Sequence, residues 1–480
     1  MKRVFLSLLV VLVSQLFGFS QGDSKLDIGK KVSKTINLKD KHSYTVFLEK
    51  GHFALVNLKQ QGIDVKIVTY DPLGNKLEEF DSQNGSKGDE LILLDALQEG
   101  AYRFEVIPLG EVKRERKGTY EIELVAINNA VESHLSQTIE HLNQRNYLPG
   151  FAITVVDKNK IRYKNAIGYA NREHKVPYSM ETVQGIASIS KTFIGISLML
   201  LVEEGKLDLN APVTKYVTDL KGTAWDNVSI LNLANHTAGL DHEETNSSIL
   251  DPNGVFLRFV RSALGTTLPD ERVEDWREVL KDVQPLEQEQ PGERFRYSSL
   301  NTQVMGMVIE NVTNKRWSDV VEERIWGKVG ARMPLMVHLA PDSTPLNMAI
   351  MSSTLEDFAK YATLFTPSWD KVAHEQVVTP SLLEQIRGAG DPAAFKGGAK
   401  EGQAVSLFAE KPLKSAYQFD FIFEDGAMYK HGNTGQGIYV DHERDFAAVY
   451  FGATPYVAPY GEIKAPAYFR QVAEMLDKAK

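Results

Sequence analysis

Ser188 and Lys191, three positions apart, are the residue pair of this sequence best suited to nucleophilic chemistry. The apolar run over residues 193–202 predicts a buried helix that ends near Gly205. Ser188 then lies at the helix start, where backbone N–H groups are unpaired and the helix dipole is positive. Residues three apart share one helix face, so the Lys191 amine lies beside the Ser188 hydroxyl. A serine needs a base to take its proton, and a lysine can be that base when burial or a second cation lowers its pKa.

The composition is that of a globular protein long enough for two or three domains. The chain has 480 residues, of which 43% are hydrophobic and 24% charged, and both fractions are ordinary for folded domains. The net charge of −9 argues against a nucleic-acid partner, since such proteins usually carry a basic stripe. The absence of cysteine excludes disulfides, thiolate metal sites and a cysteine nucleophile. The histidines show no metal-ligand spacing, so we expect neither a metal nor another cofactor.

The first twenty residues have the pattern of a secretory signal peptide. Lys2 and Arg3 form a basic start, an apolar run covers residues 4–17, and residues 18–20 supply small side chains at the positions that determine cleavage. The run is shorter than the ~20 residues that a membrane-spanning helix needs, which disfavours the alternative of an uncleaved anchor. We therefore expect residues 1–20 to be removed, the mature protein to be secreted or periplasmic, and no membrane span to remain.

Residues 24–128 are predicted to form a separate β-sandwich domain. Short strands alternate with turn signals, and the clearest of them cover residues 44–48, 53–58, 65–70, 91–94, 101–106 and 120–125. The stretch resembles the jelly-roll modules of secreted bacterial enzymes that are called pre-peptidase C-terminal-like domains. The resemblance leaves two roles open, binding to a cell-wall or glycan surface and purely structural positioning.

Residues 130–480 are predicted to form one α+β domain, an antiparallel sheet with helices. An amphipathic helix over residues 131–146 precedes a hairpin, and the C-terminal part returns to strands. These later elements are strands at 417–423, 427–431, 437–440 and 446–451 and a final helix at 467–478. A sheet built from both ends of a domain, with helices between, is typical of the α+β class. Residues 241–290 are polar and acidic, and we interpret them either as a lid near the site or as a solvated surface excursion.

Two further motifs follow the serine motif in order and at domain-scale spacing, Tyr297-Ser298-Ser299 and Lys430-His431-Gly432. A Ser-x-x-Lys pair alone can arise by chance in a long chain, but three ordered motifs are far more specific. Together they resemble the Ser-x-x-Lys, Tyr-x-Asn and Lys-Thr-Gly elements of the penicillin-recognising serine hydrolases. Flanking stretches resemble the class C β-lactamase-like group of that family, at residues 205–209, 235–240, 291–297 and 352–357. The resemblance covers nearly all of residues 131–480.

The resemblance implies a serine hydrolase that forms an acyl-enzyme with a small-molecule or peptide substrate. The group includes β-lactamases, DD-peptidases, aminopeptidases and esterases, so esters, D-amino-acid peptides and β-lactams all stay open as substrates. The alternative from another class is a non-catalytic penicillin-binding or sensing protein that keeps the pocket and forms at most a dead-end adduct. The complete set of nucleophile, base and tyrosine–lysine pair favours catalysis.

The resemblance also assigns a role to each motif residue. Ser188 is the acylated nucleophile, and Lys191 accepts its proton. Tyr297 relays a proton to the leaving group and back from water, and Lys430 keeps Tyr297 poised. Two ammonium groups near one phenol favour the phenolate and depress each other's pKa. The oxyanion hole uses the backbone N–H groups of Ser188 and Asn433, and such donors are typically worth ~10²–10³ in rate.

Three positions are implied to contact the substrate, Ser299, His431 and Gly432, and two of them depart from the family pattern. Ser299 stands where asparagine is usual, and we expect its shorter side chain not to reach a substrate amide. Esterases of the group often lack this asparagine too, which favours ester or small-amide hydrolysis over β-lactam turnover. His431 replaces threonine; an alternative register that starts the motif at His431 puts Asn433 where the glycine belongs. We expect His431 and His236 to be structural or cleft-lining rather than metal ligands.

Overall fold

The computed structural model describes residues 23–81, 85–109, 116–144, 149–158, 160–245, 247–268, 272–349, 351–408, 410–453 and 465–478. The predicted signal peptide, residues 1–20, lies outside these stretches. The chain divides into two compact units: Met1–Tyr147 with Val405–Glu410 and Pro459–Lys480, and Leu148–Ala404 with Lys411–Ala458. No helix in the described stretches combines the length and the apolarity needed to cross a bilayer.

Strands dominate both ends of the described chain, and most helices lie between them. The strands are β1 Ser24–Lys25, β2 Lys31–Asn37, β3 His42–Leu48, β4 Phe53–Gln61, β5 Val65–Tyr70, β6 Lys76–Phe80, β7 Lys87–Asp95, β8 Gly100–Pro108, β9 Lys117–Asn128, β10 Gly150–Asp157, β11 Lys160–Asn171, β12 Val176–Pro177, β13 Val183–Gly185, β14 Met336–Val337, β15 Met351–Thr354, β16 Lys414–Ala416, β17 Phe419–Ile422, β18 Met428–Gly432, β19 Gln436–Asp441 and β20 Phe446–Ala453. The α-helices are α1 Val131–Gln144, α2 Ser190–Glu203, α3 Ile230–Ala234, α4 Val255–Leu264, α5 Trp276–Lys281, α6 Ser299–Thr313, α7 Trp317–Arg324, α8 Leu355–Thr363, α9 Pro380–Gly388, α10 Pro392–Phe395, α11 Ala399–Phe408 and α12 Ala465–Lys478.

The strands of the first unit form two sheets packed as a β-sandwich. One sheet has the order β1-β3-β8-β5-β6 and the other β2-β9-β4-β7. Along β9, buried residues alternate with more exposed ones, which is the period of two for a strand with one face in a core. Tyr44 and Phe104 of the first sheet share a buried core with Val56 and Ile122 of the second. The predicted β-sandwich fold is confirmed.

Helix α1 packs on this sandwich. The sequence pattern suggests that it begins the second domain, but its contacts are with β4 and β9. The His134 ring stacks on Phe53 with 5.5 Å between centroids, and the apolar positions Val131, Leu135 and Ile139 are buried. An amphipathic helix follows whichever apolar surface it covers, and here that surface is the sandwich. The boundary near residue 130 stays a prediction.

The second unit is built on an eight-stranded antiparallel sheet of order β12-β11-β10-β20-β19-β18-β17-β16. Strand β10, from the start of the unit, thus lies beside β20 from its end. Helix α2 is buried along nearly its whole length because it is apolar all round. It packs against α6 and α7, and Phe193 stacks on Tyr361 of α8 at 4.0 Å. The predicted α+β class, a sheet from both ends with helices between, is confirmed.

Three elements bring the sequence motifs together: the 3-10 turn Ala187–Ile189 before α2, the segment before α6, and β18. The small sheet β13-β15-β14 supports the turn, and Ile186 N–H donates to Met351 O at 2.8 Å. Strand β18 contacts the same turn. A Cβ at Gly432 would lie 2.8 Å from Ala187 Cβ and 2.9 Å from Ile186 O. Only glycine allows this approach, so the third motif needs it to reach the serine turn.

The insertion at residues 241–290 is anchored to the core of the second unit. Phe259 of α4 and Val279 of α5 are fully buried in that core. Trp225 Nε1 donates to Leu280 O at 2.8 Å. These contacts hold both helices of the insertion in place. The interpretation as a lid stays a prediction.

Candidate active site

The Ser188 hydroxyl and the Lys191 amine are in direct contact. Lys191 Nζ donates to Ser188 Oγ at 3.0 Å and also to the Met348 carbonyl oxygen. Lys191 is fully buried, whereas Ser188 is half-buried and reaches the surface. The α-helix begins at Ser190, directly after the 3-10 turn, so Ser188 lies at the helix start as the apolar run predicts. A hydroxyl that reaches the surface is thus in contact with an amine that is buried away from water.

The surroundings of Lys191 suit a base that is partly neutral near pH 7. Burial lowers the pKa of its amine to about 7; the Glu244 carboxylate opposes this shift, and the Lys430 and Lys400 ammonium groups reinforce it. An ordinary lysine is protonated at neutral pH and cannot accept a proton. Lys191 therefore meets the condition set by the sequence for a lysine base.

Tyr297 is surrounded by ammonium groups. Lys430 Nζ donates to Tyr297 Oη at 3.2 Å and to Asp420 Oδ1 at 2.7 Å. The Nζ atoms of Lys400, Lys430 and Lys191 lie 4.4, 4.6 and 5.2 Å from the centroid of the tyrosine ring. Burial lowers the Lys430 pKa to about 8, with Asp420 opposing and Lys400 reinforcing the shift. This set of cations favours negative charge on the phenol oxygen, which is the state that accepts a proton.

Asp420 links the lysines to the third motif. It lies on β17, which pairs with the strand of Lys430. Its Oδ2 accepts the His431 backbone N–H at 3.1 Å and lies 2.7 Å from His431 Nδ1; its Oδ1 lies 3.4 Å from Lys400 Nζ. Burial opposes ionisation, but the lysines and His431 outweigh it and hold the Asp420 pKa well below its ordinary value. Sequence reasoning missed Asp420, although an acidic residue inside an apolar strand is a detectable signal.

The His431 side chain contacts the protein interior. The ring is buried, and its Nε2 lies 3.3 Å from Gln403 Nε2. Burial, reinforced by Lys400, lowers its pKa to about 4, so the ring is neutral at pH 7. The residue of this motif that contacts Tyr297 is Lys430, which fits the register Lys430-His431-Gly432.

The predicted oxyanion-hole donors lie on neighbouring segments. Asn433 is exposed in the turn between β18 and β19, and Gly432, just before it, pairs with Gln436. Gly432 packs against Ala187 of the 3-10 turn that contains Ser188. Asn433 is the next residue along the chain and therefore lies close to that turn. Two backbone N–H groups from adjoining segments are what an oxyanion hole requires.

Ser299 is the buried first residue of α6. Its backbone N–H donates to the Glu244 carboxylate, and the Glu244 N–H donates to Tyr297 O at 2.9 Å. Ser298 caps the same helix, because its Oγ accepts the Leu300 N–H at 3.2 Å. Glu244 thus holds the tyrosine motif through both its backbone and its carboxylate. The sequence offered no signal for this, since the acidic insertion has no local pattern that points to Tyr297.

His236 also supports the tyrosine motif. Its Nδ1 accepts the Ser298 N–H at 3.3 Å and lies 3.3 Å from Asn301 Nδ2, and its ring centroid is 4.8 Å from that of Tyr297. Burial, reinforced by Lys430, holds the His236 pKa well below its ordinary value. These contacts are structural. Across the described ranges, no group of three or more histidine, aspartate or glutamate side chains is arranged to hold a metal ion.

Comparisons with known proteins find relatives of this chain by sequence and by structure. "Protein flp" of Staphylococcus aureus (strain MRSA252) is 27% identical over 199 residues, which are 41% of this chain and 36% of that protein. The chain therefore spans well under half the length of this curated relative. EstCE1, described as a hydrolase with promiscuous acyltransferase activity, has a TM-score of 0.54 and 20% identity over 70% of this chain and 99% of that one. A class C beta-lactamase has a TM-score of 0.52 and 16% identity over 72% of this chain and 96% of that one.

These solved structures share the fold of this protein. The family assignment rests on a wider match: the family model described as Beta-lactamase covers residues 135–473, a stretch that contains all three motifs. The match extends over more than half of the chain, and the motif residues within it are in contact. The chain therefore belongs to the beta-lactamase family.

Proposed function

We propose that this protein is an exported serine hydrolase that forms an acyl-enzyme at Ser188 and acts on an ester or a small amide. The observation that carries the proposal is the 3.0 Å contact between the buried Lys191 Nζ and the half-buried Ser188 Oγ. A lysine whose pKa is about 7 is neutral in about half of the molecules at that pH and in most of them about one pH unit higher. It can then take the serine proton without a histidine.

Acylation begins as neutral Lys191 takes the Ser188 proton and Oγ attacks the substrate carbonyl carbon. The backbone N–H groups of Ser188 and Asn433 stabilise the oxyanion. The Tyr297 phenolate, in contact with Lys430, receives the serine proton from Lys191 and delivers it to the leaving alcohol or amine as the bond to the carbonyl carbon breaks, so that the phenolate and the neutral lysine are regenerated. In deacylation a water molecule gives its proton to the Tyr297 phenolate and attacks the acyl carbon, and Tyr297 returns that proton to Ser188 Oγ as the acyl bond breaks.

The preference for esters or small amides over β-lactams rests on Ser299. Its side chain is short and buried, and its backbone N–H is held by Glu244, so this position offers no carboxamide to a substrate. A missing hydrogen bond costs about 0.5–1.5 kcal/mol. An ester tolerates that loss because its leaving group departs readily, while a lactam gains more from the contact.

Turnover of a p-nitrophenyl ester, a chromogenic cephalosporin and a D-Ala-D-Ala peptide tests this proposal. We expect ester hydrolysis by the wild type and a loss of at least about 10³-fold in Ser188→Ala, since the covalent route is removed. Ser381→Ala, at an exposed serine of α9, is the matched control and should match the wild type. Equal turnover by Ser188→Ala would contradict the proposal. A lasting adduct without turnover would support the alternative of a non-catalytic penicillin-binding or sensing protein.

We also propose export with removal of residues 1–20 and, for the first unit, a role at a cell-wall or glycan surface. The basic start and short apolar run support export, and the separate core of the sandwich supports a module that is independent of the second unit. N-terminal sequencing of the native protein should begin near Gln21; an intact Met1 in a membrane fraction would contradict export. Co-sedimentation of the full chain with purified peptidoglycan tests the surface role, and full recovery in the supernatant would refute it.

A further inference from the structure

A third lysine, Lys400 of α11, lies beside the motif residues and belongs to none of the motifs. Its Nζ is 4.4 Å from the centroid of the Tyr297 ring, closer than the Nζ of Lys430 or Lys191. The same atom lies 3.4 Å from Asp420 Oδ1, and the Lys400 side chain is 13% exposed. An ammonium group at this distance and burial interacts strongly with charge on the phenol.

The helix that carries Lys400 is docked on the third motif by polar contacts. Gln403, one turn along α11 and on the same face, places its Nε2 3.3 Å from His431 Nε2. His431 Nδ1 in turn lies 2.7 Å from Asp420 Oδ2. Lys400 and Gln403 therefore both lie close to the Asp420–His431 pair. The docked helix fixes the position of the two side chains.

We propose that Lys400 is a positioning residue for the reaction, which sets the charge state of the Tyr297, Lys430 and Lys191 group through its ammonium charge. Lys400 and Lys430 share the Asp420 carboxylate, so its single negative charge does not neutralise both ammonium groups. The surplus positive charge favours the phenolate of Tyr297. This inference rests on the proposed acyl-enzyme function.

The charges around Lys400 agree on the direction of its effect. The titratable and charged groups that face it are Tyr297, Lys191, Lys430, Asp420, His431, His236 and Glu244. Lys400 lowers the pKa of both Lys191 and Lys430, in addition to the effect of burial. Removing its charge therefore makes each lysine easier to protonate and Tyr297 harder to ionise. All three changes demand a higher pH for activity.

The test is the pH dependence of Ser188 modification by a fluorophosphonate, followed by mass spectrometry, in the wild type and in Lys400→Met. The acid limb of the rate should move to higher pH by about one unit, a typical effect of one charge within a few ångström, with about a tenfold lower rate below the limb. Lys400→Gln removes the same charge and serves if the methionine variant does not fold. Lys400→Arg keeps the charge and should restore the wild-type limb. Lys396→Gln, at an exposed lysine before the same helix, should leave it unchanged.

The outcomes separate this inference from the proposed function. A wild type that is labelled at Ser188, with the same acid limb in the charge-removing variants, overturns the role of Lys400 and leaves the acyl-enzyme standing. Lys400→Arg also overturns this role if thermal unfolding shows that the variant is folded and its acid limb still lies at higher pH than that of the wild type. A wild type in which Ser188 is not labelled overturns the proposed function, and the role of Lys400 falls with it.

Discussion

The sandwich and the second unit each contain a buried carboxylate among lysine, arginine or tyrosine side chains, and the two clusters differ in the direction of one hydrogen bond. In the sandwich, Tyr70 Oη donates to Glu105 Oε2 at 2.8 Å, and burial together with this carboxylate raises the Tyr70 pKa. In the second unit, Tyr297 Oη accepts from Lys430 Nζ at 3.2 Å. The first phenol thus donates to a carboxylate, whereas the second accepts from an ammonium group.

The two clusters also differ in where their cations lie. Lys41, which pairs with Glu105 at 2.7 Å, has a side chain that is 54% exposed, whereas the Lys430 side chain is fully buried. A cation over the ring is common to both, since the Arg103 guanidinium lies 3.9 Å from the centroid of the Tyr70 ring. Residue types therefore do not distinguish the two clusters. The burial of the amines does, because burial lowers the pKa of an amine towards neutral pH.

Removing the hydroxyl group of Tyr297 or of Tyr70 tests the difference between the two clusters most directly. Tyr297→Phe should lower kcat/KM for an ester by about 10²–10⁴-fold, the usual contribution of a positioned acid–base group. The loss should be larger for an alkyl ester than for a p-nitrophenyl ester, because nitrophenolate leaves without a proton. Steady-state kinetics on both esters measure the effect.

Tyr70→Phe is the matched control in the sandwich. It removes one hydrogen bond to Glu105, so it should cost about 1 kcal/mol of folding stability and leave kcat/KM unchanged. Equal kinetic losses in the two variants, or none in Tyr297→Phe, would contradict the distinction drawn between the clusters.

A smaller effect is expected where the site departs from its family. Ser299→Asn restores the usual carboxamide and should raise cephalosporin turnover relative to ester turnover by up to about tenfold, the worth of one hydrogen bond. The control is Ser318→Asn, at a partly exposed serine of α7, which should leave the ratio unchanged. Thr302→Asn is unsuited because Thr302 is buried in contact with Gln418. A wild type that already prefers cephalosporins, or a shift towards esters, would show that Ser299 is not the determinant.

The fold classes and the contact of Ser188 with Lys191 could be predicted from the sequence because each depends on local pattern. Apolar runs locate strands and helices, and three-residue spacing places two side chains on one helix face. Glu244 and Lys400 could not be found this way, since they reach Tyr297 from segments far away in sequence whose packing is set by the core. Helix α1 shows the same limit: its amphipathic pattern predicts a helix but not which surface it covers.

The central claim is that buried Lys191 is the base that activates Ser188, and the pH dependence of covalent labelling tests it most directly. Wild-type protein is treated with a fluorophosphonate from pH 5 to pH 9, and the labelled peptide is identified by mass spectrometry. Because Lys191 must be neutral and its pKa is about 7, label on Ser188 should form about tenfold faster per pH unit below pH 7 and level off above it. Label on another serine, such as Ser190 or Ser298, or a rate that does not change over this range, would contradict the claim.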